Sequence, residues 1–242
     1  MFIFVKIFLL IATVLLSGYS VVFFKEKRIF FQYLLGFSGA VLLGLIVHHL
    51  LPEIYADFLD QKSEYKITNS VLAFALMSGF LIQLILDYSS KGVEHGHFHQ
   101  HEQKFPVGVF ISLCIHAFLE GFPLEEMLFK DSNYSYLWAI LIHKIPISMT
   151  LMILVPDNFS SLKKYFLLGI FGAMAVFGAI SQHFLFLFFE EILAYSFLIN
   201  AVITGMLLHI STIILLENQA NHKFNLGKLI AILIGFGLSF LL

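Results

Sequence analysis

The polar residues of this chain gather in short groups between eight apolar stretches. A membrane-crossing helix needs about 20 mostly apolar residues. The pattern predicts spans at roughly 2–24, 29–51, 67–88, 105–129, 135–155, 165–189, 192–216 and 226–242. The second is expected to end at Pro52, and the fourth to run as one segment. The connections are short, so consecutive helices should be antiparallel neighbours. Residues 1–242 read as one polytopic, all-α membrane domain of eight transmembrane helices, with a histidine-rich loop at 89–104 inside it.

Composition agrees with lipid as the solvent. The chain is 59% hydrophobic and 12% charged, with a mean hydropathy of +0.90, whereas soluble domains carry about 25% charged residues. Residues 1–24 are too long and too uniformly apolar for a signal peptide, with Lys6 the only early charge and no small-x-small cleavage site before Lys25. They read as the first span. A net charge of −2 offers no basic face for nucleic acid. The single cysteine, Cys114, excludes an intrachain disulfide and a cysteine-based zinc cluster, and is expected to be a packed thiol.

Positive charge sets orientation. Loops after odd-numbered spans, with their flanks, hold Lys25, Lys27, Arg28, Lys91, Lys104, Lys163, Lys164, Lys223 and Lys228; those after even-numbered spans hold only Lys62, Lys66 and Lys130. The odd loops are therefore expected in the cytoplasm and both termini outside. Small residues line the second span (Gly36, Gly39, Ala40, Gly44) and the sixth (Gly169, Gly172, Ala175, Ala179), where they allow close helix packing. Gly44-Leu-Ile-Val-His48 in the second span faintly echoes Gly205-Met-Leu-Leu-His209 in the seventh, as an inverted repeat would.

Two polar strings break the apolar pattern near mid-span: His116-Ala-Phe-Leu-Glu120-Gly121 in the fourth and His143-Lys144-Ile-Pro146 in the fifth. An ionisable group in hydrocarbon costs roughly 2.5 kcal/mol or more, so such residues default to function. Residues four apart share a helix face, which aligns His116 with Glu120. Imidazole and carboxylate are ligands for a borderline divalent ion such as zinc. Pro146 removes a backbone donor and is expected to kink the fifth helix just beyond His143. His116, Glu120 and His143 are the candidate ligands of one intramembrane cation.

These strings resemble those of the ZIP family of divalent-metal transporters, whose pattern is His-x-x-x-Asp/Glu-Gly in the fourth span and His/Gln-x-x-Pro in the fifth. Eight spans, outward termini and a histidine-rich loop after the third span also match, so the resemblance covers nearly the whole chain. It implies that His116, Glu120 and His143 ligate the transported ion. It further implies alternating access, with helices 1, 4, 5 and 6 moving against 2, 3, 7 and 8, and a homodimer. The chain departs from many members by holding Ala117, Lys144 and Ile147 where they carry ligands of a second, adjoining ion. It is similar in this to a branch with His-Ala-x-x-Asp/Glu-Gly and His-Lys-x-Pro. A mononuclear site follows, with Lys144 in the place of the second ion and Glu120 as its partner.

Other polar residues suggest a pathway. His48, His49 and Glu53 close the second span on its outer side, where the family often has a similar string; Gln182 and His183 in the sixth and His209 in the seventh are candidate lining groups. His95, His97, His99 and His101 alternate along the cytoplasmic loop, a composition suited to binding metal without a folded cage. The expected function is uptake of Zn²⁺, or another divalent ion, as substrate across a bacterial cytoplasmic membrane. A rival, an intramembrane zinc hydrolase, needs a general base beside the metal. No HExxH string occurs, and Glu120 is already a ligand, so the chain is read as a transporter rather than an enzyme. A third reading, a metal sensor using the histidine loop, would bind without flux.

Overall fold

The computed structural model describes residues 3–24, 28–65, 67–90, 105–129, 134–217 and 226–242, and among these it is all-helical. The helices are α1 (Ile3–Phe24), α2 (Arg28–Leu45), α3 (Leu51–Tyr65), α4 (Asn69–Ser90), α5 (Val107–Glu120) and α6 (Leu124–Phe129), followed by α7 (Ser135–Leu154), α8 (Ser161–Phe188), α9 (Glu190–Leu193), α10 (Ser196–Glu217) and α11 (Leu226–Ser239). Helices satisfy their own backbone groups, which hydrocarbon cannot do for them. Among the described residues six are long and apolar enough to cross a membrane, which fits a multi-pass membrane protein; this count alone does not reach the expected eight. The expected fourth and eighth spans contain the shorter apolar helices α5 and α11, of 14 residues each, or about 21 Å of helix. His95, His97, His99 and His101, with Lys25, Lys27, Lys66, Lys91, Lys104, Lys130 and Lys223, lie outside the described residues.

Two prolines act opposite to expectation. The second span does not end at Pro52: a π-helical turn, Ile46–Leu50, joins α2 to α3, and the helix continues to Tyr65. The Leu51 N–H bonds the Ile46 carbonyl five residues back. The hydrogen-bond ladder has already slipped by one residue when Pro52 arrives, and Pro52 sits in the first turn of the new register, where a missing N–H is tolerated. The fourth span does break, at residues 121–123. There the Gly121 and Phe122 N–H groups reach back only three residues, to Phe118 and Leu119 (both 3.1 Å), and α6 restarts after Pro123. Through Pro146, by contrast, α7 runs without interruption.

The helices pack as two groups. In one, α1 lies against α7 and α8, and α8 against α5 and α6; in the other, α10 packs on α4 and α2, and α2 on α11. The groups meet where α2 lies against α7 and α4 against α5. Leu42 and Leu45 of α2, Leu137 and Ile140 of α7 and Leu207 and Ile210 of α10 belong to one apolar cluster that runs through this seam. Within each group, glycines let backbones touch. A Cβ at Gly121 would fall on the Ala175 carbonyl, and one at Gly178 on the Phe118 carbonyl, so α5 and α8 are in backbone contact beside Glu120. Gly79 and Gly205 meet the Val202 and Leu76 carbonyls at the α4–α10 crossing in the same way.

Candidate metal centre

Glu120 is the last residue of α5, held there by the break that follows. Its carbonyl accepts the Tyr136 hydroxyl of α7 at 2.9 Å, which ties the turn to the neighbouring helix. One turn earlier His116 points along the same face, with Nε2 2.8 Å from Glu120 Oε1. From α7, His143 brings its Nε2 to 3.3 Å from the same oxygen. The ligand atoms of His116, Glu120 and His143 all lie within 4.8 Å of one another. The three side chains are 1%, 2% and 0% exposed. His143 Nε2 and Glu120 Oε1 form no hydrogen bond of acceptable geometry despite their approach. They face one another as co-ligands do, and two neutral imidazoles with a carboxylate suit a borderline divalent cation.

The other carboxylate oxygen is taken. Lys144 Nζ donates to Glu120 Oε2 at 2.8 Å, as expected from sequence. Its ammonium also lies 4.9 Å from the centroid of the Phe171 ring, a cation–π arrangement that is worth most when desolvated. Ala117 and Ile147 belong to an apolar cluster with Leu113, Leu151 and Phe171. Beside Glu120 Oε2 there is thus one ammonium, and around the Phe171 ring that it faces there is carbon packing.

The remaining nitrogens of the two histidines face the other helix group. His116 Nδ1 is 3.4 Å from Gln83 Oε1 on α4, and His143 Nδ1 is 3.3 Å from Ser38 Oγ on α2. Gln83 and Ser38 are fully buried. Sequence reading passed over both; the available signal was a lone amide and a lone hydroxyl deep in otherwise apolar spans. On the side facing α10, His116 and Glu120 are covered by Ile203, Met206 and Leu207.

The other polar residues singled out in the sequence make contacts of their own. His48 stacks on Phe240 with ring centroids 4.9 Å apart, and His49 Nδ1 is 3.8 Å from Glu53 Oε2. His183 pairs through Nδ1 with the buried Glu125 at 2.8 Å and stacks on Phe129 at 4.0 Å. His209 meets Phe80 edge-on at 4.6 Å, and Gln182 is buried on α8. Glu53, Asp57 and Glu126 lie close enough to interact electrostatically, which makes an acidic patch between α3 and α6. Lys6 is buried; its ammonium reaches the Met127 and Leu128 carbonyls and caps the C-terminal end of α6. Cys114 is buried, as expected.

No protein-family model matches this chain, and no characterised protein matches it significantly.

Proposed function

We propose that the chain is a ZIP-like transporter that carries Zn²⁺ or a similar divalent ion to the cytosol through a mononuclear site of His116, Glu120 and His143. The observation that carries this reading is the position of the buried trio: all three ligands belong to one helix group, and they sit at its seam with the other. An enclosed ligand set exchanges its ion only if something moves. Here the natural movement is of α1, α5, α6, α7 and α8 as one body against α2, α4, α10 and α11, which draws Ile203, Met206 and Leu207 away from the site. The eight-span reading counts α5 and α6 as one broken span and α11 as a short one. Charge asymmetry then puts both termini outside.

The hydrolase reading lacks a general base. Glu120 presents one oxygen to the histidines and the other to Lys144, and among the described residues no further carboxylate joins the cluster. The experiment is Zn²⁺ uptake by the full chain in proteoliposomes, with Mn²⁺, Fe²⁺ and Cd²⁺ as competitors. Uptake is expected in the native protein and loss of at least tenfold in Glu120→Ala and His143→Ala at equal reconstitution. Undiminished uptake in Glu120→Ala overturns the assignment.

A further inference from the structure

The two ligand histidines touch both helix groups, one with each ring nitrogen. Their Nε2 atoms converge on Glu120 within their own group, while their Nδ1 atoms reach Gln83 and Ser38 across the seam. A neutral imidazole has one N–H and one lone pair. An amide oxygen only accepts, so with Gln83 Oε1 turned to the ring the His116 tautomer that binds a metal through Nε2 is the one whose Nδ1–H this contact receives. The Ser38 hydroxyl oxygen does the same for His143 when it accepts. In those tautomers the two Nε2 lone pairs and the carboxylate oxygen converge on one spot, as ligands of a single cation would. Metal-bound histidines as a rule donate their other N–H to such an acceptor, which fixes the tautomer and the ring.

We propose that Gln83 and Ser38 are positioning residues of the metal site, which from the opposite helix group accept the Nδ1 protons of His116 and His143 and make metal affinity depend on the two groups being docked. This rests on the metal-site reading given above. The acceptors travel with α4 and α2 and the ligands with α5 and α7, so relative sliding removes the constraint on both rings together. A ring free to rotate, or to move its proton to Nε2, is a poorer ligand. Separation of the groups therefore loosens the ion at the moment it opens a way out, without any change in the ligands themselves. Ser112 of α5, whose hydroxyl donates to the Leu86 carbonyl of α4 at 2.9 Å, holds the same seam closed near Gln83.

The test uses the full-length chain in detergent, with His95, His97, His99 and His101 replaced by serine so that the loop adds no sites. Zn²⁺ affinity is measured by competition with a chelating dye, and Co²⁺ bound in place of Zn²⁺ reports ligand geometry through its visible absorption. Gln83→Met, similar in length but without an acceptor, and Ser38→Ala are each expected to weaken Zn²⁺ binding by about 10- to 100-fold and to shift the Co²⁺ bands. Gln83→Glu keeps the acceptor and is expected to stay within a few-fold of the native affinity. Native affinity and unshifted bands in both Gln83→Met and Ser38→Ala, with binding lost in His116→Ala, overturn the positioning role and leave the site standing. Equal loss in Gln83→Glu and Gln83→Met overturns it too, because packing alone would then explain position 83. If His116→Ala binds as the native protein does, the metal-site reading itself fails. Ser38→Ala removes a single oxygen and decides the matter if a Gln83 variant does not fold.

Discussion

Glu120 is asked to serve two cations. Its Oε1 faces the histidine pair and its Oε2 holds the Lys144 ammonium, all at 2% exposure or less. Removing one partner of a buried pair costs roughly 3–5 kcal/mol, because the other charge is left uncompensated. The ammonium thus holds the carboxylate in place, and would oppose a divalent ion bound at Oε1. Lys144→Met is accordingly expected to make the protein less stable without metal and tighter for Zn²⁺. A ligand that binds only the folded state raises stability with its concentration. The melting temperature in detergent should start lower in Lys144→Met and rise further on Zn²⁺ addition than in the native chain, with slower uptake turnover. A smaller Zn²⁺-induced rise in the variant would contradict this. The trio and Lys144 were legible in the sequence because i, i+4 spacing and equal depth in adjacent spans are one-dimensional properties. Gln83 and Ser38 were not, since nothing local says which helix a lone polar side chain faces.

At the scale of elements, most helix ends were readable to within a few residues, and the errors fall at two prolines. Hydropathy cannot distinguish a proline that begins a new register, as Pro52 does behind its π turn, from one that lies in a break, as Pro123 does. The difference is tertiary. The chain turns at residues 121–123 where α5 meets α8 backbone to backbone, and the glycines that permit this have ordinary helical conformations; Gly121 has φ −69°. They are needed for closeness, not for an unusual backbone angle. The small-residue stripe of the sixth span was visible in sequence, but its partner was not. Gly178→Ala places a methyl group on the Phe118 carbonyl and must push α8 from α5 beside the ligand turn. Overpacking of this kind costs typically about 1–3 kcal/mol. The variant should melt at a lower temperature and bind Zn²⁺ more weakly, whereas Gly169→Ala, on the same helix with open space at its Cβ position, should match the native protein in both measurements.

At the scale of the molecule, the packing partners repeat. Exchanging α1 with α8, α2 with α10, α4 with α11 and α5 with α7 converts the α1–α7 contact into α8–α5, and α2–α11 into α10–α4. The faint echo between 44–48 and 205–209 belongs to this pattern. Gly44 abuts Ser239 of α11 while His48 stacks on Phe240, and Gly205 abuts Leu76 of α4 while His209 meets Phe80. The exchange fails at the seam: α4 packs against α5 while α11 has no matching contact of that extent with α7 among the described residues. The α2–α7 contact likewise exceeds its counterpart between α10 and α5, so His116 meets the other group mainly through α4 and His143 mainly through α2. If transport is a movement of one group past the other, a bond across the seam must stop it. Leu119 of α5 and Met206 of α10 line the same closed space beside Glu120 from the two groups. With Cys114 replaced by alanine, Leu119→Cys and Met206→Cys together supply one thiol on each group and no competing one. Oxidation to a disulfide, read as a mobility shift on a gel, should abolish Zn²⁺ uptake in proteoliposomes, and reduction should restore it. Each single-cysteine protein should transport equally under both conditions. Uptake that continues at full rate in fully cross-linked protein would mean that the groups do not separate there, and that the ion reaches His116, Glu120 and His143 by another route.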